Sequence, residues 1–194
     1  MAADAHLGNR VRVVYESGSE IYVNGSPSPW TVETAVGKYE LPQWGYVATT
    51  KAGARAMSVL WPASGSEQST GPRQRVDFAI EPDSYYADSR GGLALLPKVA
   101  VQGSGALKRE KDAWYIVPAT GFTEFAFDPA LIGLSPDHKL TVAAENQDGS
   151  PAEPPEVLWS AGLWHVRPGA KPAFRYQVVP SPASAPSAIE GDFR

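Results

Sequence analysis

Residues 9–24, Asn9-Arg10-Val11-Arg12-Val13-Val14-Tyr15-Glu16-Ser17-Gly18-Ser19-Glu20-Ile21-Tyr22-Val23-Asn24, carry the reading that decides the fold. Val11, Val13 and Tyr15 alternate with Arg10, Arg12 and Val14 at the two-residue period of a strand, and a second run follows at Ile21-Tyr22-Val23-Asn24. The turn between them fixes the register. A two-residue loop at Ser17-Gly18 would set Val14 against Ile21 and Arg12 against Val23, mixing charged and apolar residues on one face. A three-residue loop, Glu16-Ser17-Gly18, sets Val13 against Ile21 and Val11 against Val23, and puts Gly18 where the left-handed conformation is needed. Pattern and turn chemistry agree on a β-hairpin.

The same grammar continues outward. Asn24-Gly25-Ser26-Pro27-Ser28-Pro29 is a turn cluster, and short strands are predicted at Trp30-Thr31-Val32-Glu33, Lys38-Tyr39-Glu40-Leu41, Trp44 to Ala48, Ala56 to Trp61 and Arg75 to Ile80. Further strands are predicted at Val99-Ala100-Val101, Ala113 to Val117, Thr123 to Phe127, Leu140 to Ala144, Val157-Leu158-Trp159, Leu163 to Val166 and Phe174 to Val178. Ala161-Gly162 reads as a tight turn that sets Trp159 opposite Trp164. Gly103-Ser104-Gly105 reads as a turn, and only residues 129–134 hint at a helical turn.

Composition supports this pattern. The 194 residues include 18 Gly and 18 Pro, well above the roughly 12% of average usage, yet 43% are hydrophobic, enough for a core. That combination excludes a helical bundle and predicts an all-β chain of two tandem antiparallel β-sandwiches, immunoglobulin-like or jelly-roll-like. The expected partition is a flexible segment at 1–8, a first sandwich at 9–92, a second at 93–180 and a disordered Pro/Ser/Ala-rich tail at 181–194, with Gly91-Gly92 as the junction. The polar stretch 63–73 reads as a mobile loop.

Charge and residue usage exclude several functions. A net charge of -4 with no Lys/Arg stripe argues against nucleic-acid binding. The absence of Cys removes disulfides, thiolate metal sites and cysteine nucleophiles. No apolar run approaches a membrane span, and the start Met1-Ala2-Ala3-Asp4-Ala5-His6 lacks the features of a signal peptide; it also fits the edge of a piece cut from a longer protein. His6, His138 and His165 have no neighbouring partner of metal-ligand spacing, and no Gly-x-Ser-x-Gly elbow, phosphate loop or dinucleotide fingerprint occurs. No cofactor is expected. Calcium is the exception left open, through Asp83 and Asp88 or the oxygen-rich turn at Glu145-Asn146-Gln147-Asp148-Gly149, which lacks the alternating Asp of a calcium loop.

Two residue classes remain for chemistry. Asp77, Asp83 and Asp88 lie near Tyr85 and Tyr86, and two carboxylates suffice for glycoside hydrolysis; the plain alternative is solvated residues and turn caps. Exposed aromatic rings on a rigid sheet stack on the C–H faces of sugars. Trp30, Trp114 and Trp159 read as core, whereas Trp44 and Tyr46 flank Gly45 at a turn and read as exposed. The candidate carbohydrate contacts are Trp44, Tyr46, Tyr85, Tyr86 and Asp88. The match of Asn24-Gly25-Ser26 to a glycosylation sequon reads as chance.

The strand ending Tyr15-Glu16-Ser17-Gly18, then Ile21-Tyr22-Val23-Asn24-Gly25, Trp30-Thr31-Val32, residues 39–48 from Tyr39-Glu40-Leu41-Pro42 to Val47-Ala48, and the segment from Asp83 to Gly91 resemble a C-terminal ancillary β-sandwich domain of bacterial multidomain glycoside hydrolases. The resemblance covers roughly residues 9–92. It implies a secreted, extracellular or periplasmic setting and a non-catalytic module that braces the catalytic domain of the same polypeptide or contacts a glycan. It carries over no catalytic residue. The alternatives are a free-standing glycan-active hydrolase or lyase using the Asp and Tyr residues, and an adhesin-like spacer.

Overall fold

The computed structural model describes residues 9–62 and 71–181. The expected flexible segment at 1–8, most of the predicted loop at 63–73 and the tail beyond Ser181 lie outside the described residues. The chain is all-β. Its strands are β1 (Arg10–Val14), β2 (Glu20–Asn24), β3 (Trp30–Thr34), β4 (Gly37–Leu41), β5 (Gly45–Thr49), β6 (Arg55–Pro62), β7 (Arg73–Glu81) and β8 (Ser84–Leu96). They continue as β9 (Val99–Glu110), β10 (Ala113–Pro118), β11 (Glu124–Phe127), β12 (Lys139–Glu145), β13 (Glu156–Ser160), β14 (Leu163–Arg167) and β15 (Arg175–Ser181). Among the described residues a 3-10 turn, Pro129–Ile132, interrupts them, and the named strand pairs are all antiparallel.

The opening hairpin has the register its turn demands: Val13 faces Ile21 and Val11 faces Val23. Gly18 sits at φ 79°, and the loop closes through Gly18 N–H to Tyr15 O and Tyr15 N–H to Ser19 O, both 2.9 Å. Trp159 likewise faces Trp164 across a turn in which Ala161 and Gly162 both take positive φ, as a type I′ turn requires.

Two expectations about glycine are corrected. Gly103-Ser104-Gly105 is no turn but part of β9, and Gly91-Gly92 lies inside β8, at the register shift between Asp88 and Leu93. Both long strands bend there instead of ending. Arg90 and Gly91 have φ of 55° and 94°, and Gly103 has 88°. The buried Ser89 hydroxyl joins the two bends: it accepts Gly103 N–H at 2.9 Å and lies within hydrogen-bond reach of the carbonyls of Gly92 and Gly103. The β8–β9 ladder therefore continues across the position where composition placed a junction.

The bends let single strands serve two layers. One edge of β9 pairs with β11 along 99–102 and with β10 along 105–110. One edge of β6 pairs in the same way with β5 through Ser58 and with β4 at Leu60. The central run β6-β7-β8-β9 thus forks at each flank into two leaves: β5-β2-β1 and β4-β3 on one side, β10-β15-β12 and β11-β14-β13 on the other. Their inner faces enclose one apolar cluster that includes Tyr22, Leu41, Met57, Leu107, Phe125 and Tyr176. Rings meet across the leaves, Tyr22 edge-on to Trp30 at 5.8 Å and Phe122 stacked on Tyr176 at 6.2 Å. Trp30 and Trp114 pack against this cluster as expected. Trp159 does not: among the described residues β13 pairs only with β14, and Trp159 is 43% exposed.

Candidate functional site

Alternation along each strand sets which side chains leave the core. In β5, Val47 is buried while Tyr46 and Ala48 point outward; in β8, Ala87 is buried while Tyr86 and Asp88 point outward. Register aligns these positions into two rows on the outer face. The first runs Val23, Tyr46, Ser58, Asp77, Asp88, Ser104; the second runs Ile21, Ala48, Ala56, Ala79, Tyr86, Ala106. Tyr46 and Tyr86, 38% and 37% exposed, stand on β5 and β8; between them the two rows present Ala56, Ser58, Asp77 and Ala79, with Arg75 reaching over Ser58. Three strand spacings separate their strands, about 14 Å. The result is a shallow trough with an aromatic ring at each side.

Trp44 stands at the rim, 65% exposed. The turn residue takes φ 60°, held by its N–H to Asn24 O at 2.6 Å and by its carbonyl, which accepts from Arg75 Nη2 at 3.1 Å. Arg75 leaves the same outer face and also donates to Gln43 O and to Ser58 Oγ. The trough's polar side is an interlocked charge group: Arg90 pairs with Asp77 at 2.5 Å, Arg75 lies 3.9 Å from Asp77 Oδ1, and Asp88 accepts the Arg90 N–H at 2.8 Å. Asp77 Oδ1 is buried without a hydrogen-bond partner among the described residues, so the carboxylate is balanced by Arg90 at Oδ2 and by the more distant charge of Arg75. Arg75 and Arg90 were missed by a reading centred on rings and carboxylates. The β7 alternation Arg73-Gln74-Arg75-Val76-Asp77 does put Arg75 and Asp77 on one face.

Two predicted residues part company with this group. Tyr85 faces the other way, packed against the core, where burial and the nearby Asp83 charge push its hydroxyl pKa up. Asp83 lies in the β7–β8 turn, five residues and roughly 16 Å along the strand from Asp88. Asp77 and Asp88 are direct cross-strand neighbours, but both are engaged by Arg90. Among the described residues, no three His, Cys, Asp or Glu gather in a way that could hold a metal ion. The oxygen-rich turn after β12 is internally satisfied, Asp148 Oδ1 accepting from Ser150 N–H and Oγ. Asn24 is fully buried, its Nδ2 within reach of the carbonyls of Ser28, Leu41 and Pro42, so in the folded chain it braces a turn.

One further polar cluster escaped the sequence. On the outer face of the β11-β14-β13 leaf, Glu124 meets His165 Nδ1 at 2.5 Å and Arg167 Nε at 2.9 Å, and His165 Nε2 lies 3.2 Å from Ser160 O. Burial pushes the Glu124 carboxyl pKa up, but the hydrogen bonds and charge of its two partners outweigh this and hold it below the ordinary glutamate range. The cluster ties the β13–β14 hairpin to β11.

Comparison with protein-family models, curated proteins and solved structures gave no match to this chain. Among the described residues, no helix is long and apolar enough to cross a membrane.

Proposed function

We propose that the chain is a non-catalytic β-sandwich module that binds a glycan along the trough between Tyr46 and Tyr86, in the service of a larger secreted bacterial glycoside hydrolase. The observation that carries the reading is the pairing of two exposed rings on a rigid antiparallel floor with a fixed set of donors and acceptors between them. The rings offer faces to sugar C–H groups, and Arg75, Asp77, Arg90 and Asp88 offer hydrogen bonds to hydroxyls. Small residues at Ala56, Ser58 and Ala79 keep the floor low. The link to a hydrolase rests on the resemblance of residues 9–92.

Affinity electrophoresis against a polysaccharide panel tests the reading. Retardation by at least one glycan is expected, with Tyr46→Ala and Tyr86→Ala each weakening it about three- to tenfold. A chain that binds no glycan, or whose binding ignores both substitutions, contradicts the proposal. A hydrolase acting through Asp77 would show turnover abolished by Asp77→Asn, whereas a binding module releases no sugar in either form.

The bracing reading has its own support. Edge strand β1 exposes Val11, Val13 and Val14, and a groove of about 250 Å³ floored by Ile21, Ala48, Ala56 and Ala79 opens beside Tyr15. Such an apolar surface suits a neighbouring protein domain. Val13→Lys should then weaken association with a catalytic domain, and because this groove shares Ala56 and Ala79 with the trough, a docked domain should compete with glycan for wild type.

A further inference from the structure

A second concave site opens at the end of the β10-β15 leaf, on the opposite side of the sheet from the trough. Its volume is about 420 Å³, within the range of roughly 300–1,000 Å³ typical of small-molecule sites. The floor follows from register. Trp114 faces Val178 on β15 and Arg109 on β9, so these three side chains form the last rung of the inner face, past the point where the core closes. The indole is partly buried and packed against the core.

The facing wall is Leu131 and Ile132, in the 3-10 turn after β11. That turn is fixed at both ends. Asp128 Oδ1 caps it by accepting Ala130 N–H at 2.9 Å, and Gly133, at φ 76°, closes it with its N–H directed to Ala130 O. The wall is therefore set before any ligand arrives.

The rim is polar and incompletely paired. Asp83 comes from the β7–β8 turn, Asp112 from the β9–β10 turn, and Arg109 from the end of β9. The Asp83–Arg109 separation of 3.8 Å is too long for a hydrogen bond, so both groups keep capacity for a third molecule. Two carboxylates and one guanidinium leave the rim net negative, which opposes an anionic ligand. A wholly apolar ligand would desolvate three charged groups without compensation. The chemistry that fits has an apolar face for Trp114, Leu131 and Ile132 and a hydroxylated edge for the rim.

We propose that this cleft binds one neutral pyranose ring, its C–H face on Trp114 and its hydroxyls on Asp83, Asp112 and Arg109. The proposal does not rest on the trough, because different residues on the other side of the sheet form it.

A proton–nitrogen NMR titration of the full chain with the methyl glycosides of glucose, galactose, mannose and N-acetylglucosamine tests it. Saturable shifts are expected at the amides of Asp83, Asp112, Ile132 and Gly133 for at least one sugar. The double substitution Asp83→Asn with Asp112→Asn should weaken that binding about tenfold or more. Because Trp114→Ala removes a core contact, Ile132→Trp serves as the blocking variant and should abolish the shifts while the rest of the spectrum stays native. No shift at the cleft amides with any of the four sugars at tens of millimolar overturns the proposal. Shifts that survive both variants overturn it as well. Amides of Tyr46 and Tyr86 report on the trough in the same spectra, so failure of one site is read separately from failure of the other.

Discussion

At the scale of single residues, the fold depends on a few positions where the backbone does something unusual. Gly103 is the sharpest. Its positive φ already disfavours any other residue, and an added Cβ would overlap the Gly121 carbonyl. Gly103→Ala should cost about 3 kcal/mol or more, read as a drop in the denaturation midpoint, since strain and steric overlap add. Asn24 is the polar counterpart. Its amide nitrogen lies within reach of three carbonyls while its oxygen accepts Ser26 N–H, so Asn24→Ala would strand several buried groups at a cost of about 2–3 kcal/mol. A shift of under half that size would mean that solvent reaches the turn. Only part of this was legible beforehand. Gly18 announced its role through the hairpin around it, whereas Gly103 depends on the distant loop at Gly121, and no local pattern reports a contact eighteen residues away.

At the scale of elements, hairpins were readable and the long strands were not. The β1–β2 and β13–β14 hairpins are local: alternation and turn residues overdetermine their registers. β8 and β9 were broken in the reading because glycine usually ends a strand, while here Gly91 and Gly103 bend two paired strands together around Ser89. Of the proposed contacts, Trp44, Tyr46, Tyr86 and Asp88 lie on one face or its rim, whereas Tyr85 points to the other side, an alternation that is invisible unless residues 84–96 are read as a strand. The Glu124–His165–Arg167 cluster joins β11 to β14, which sequence cannot align. It predicts a pH effect. A carboxyl whose folded pKa is depressed contributes stability that is fully present above its unfolded value, about pH 4.3, and is lost as pH falls through the lower folded value. Wild type should therefore lose thermal stability more steeply below about pH 4.3 than Glu124→Gln. Parallel melting curves for the two proteins across that range would show that the cluster adds nothing.

At the scale of the whole molecule, the forked sheet makes the two halves of the chain share strands and core. β8 and β9 pair on both sides of their bends, and one buried cluster runs from Tyr22 to Tyr176. Chemical denaturation is expected to follow one cooperative transition, with the hydrogen exchange of Val47 and of Val166 lost at the same denaturant concentration. Two separated transitions would mean that the halves unfold as independent units. The surplus of Gly and Pro predicted many turns correctly but could not say that some glycines bend strands instead of ending them, so it could not foresee a shared sheet. The same sharing makes the outer face of β5 to β8 a continuous paired floor on which Tyr46 and Tyr86 stand. Isothermal titration of the best-retained glycan into wild type and into the double variant Tyr46→Ala with Tyr86→Ala tests glycan binding on that floor most directly. Wild type is expected to bind measurably, and the variant to lose at least about tenfold in affinity while still unfolding cooperatively. Equal affinity in the two proteins would contradict it.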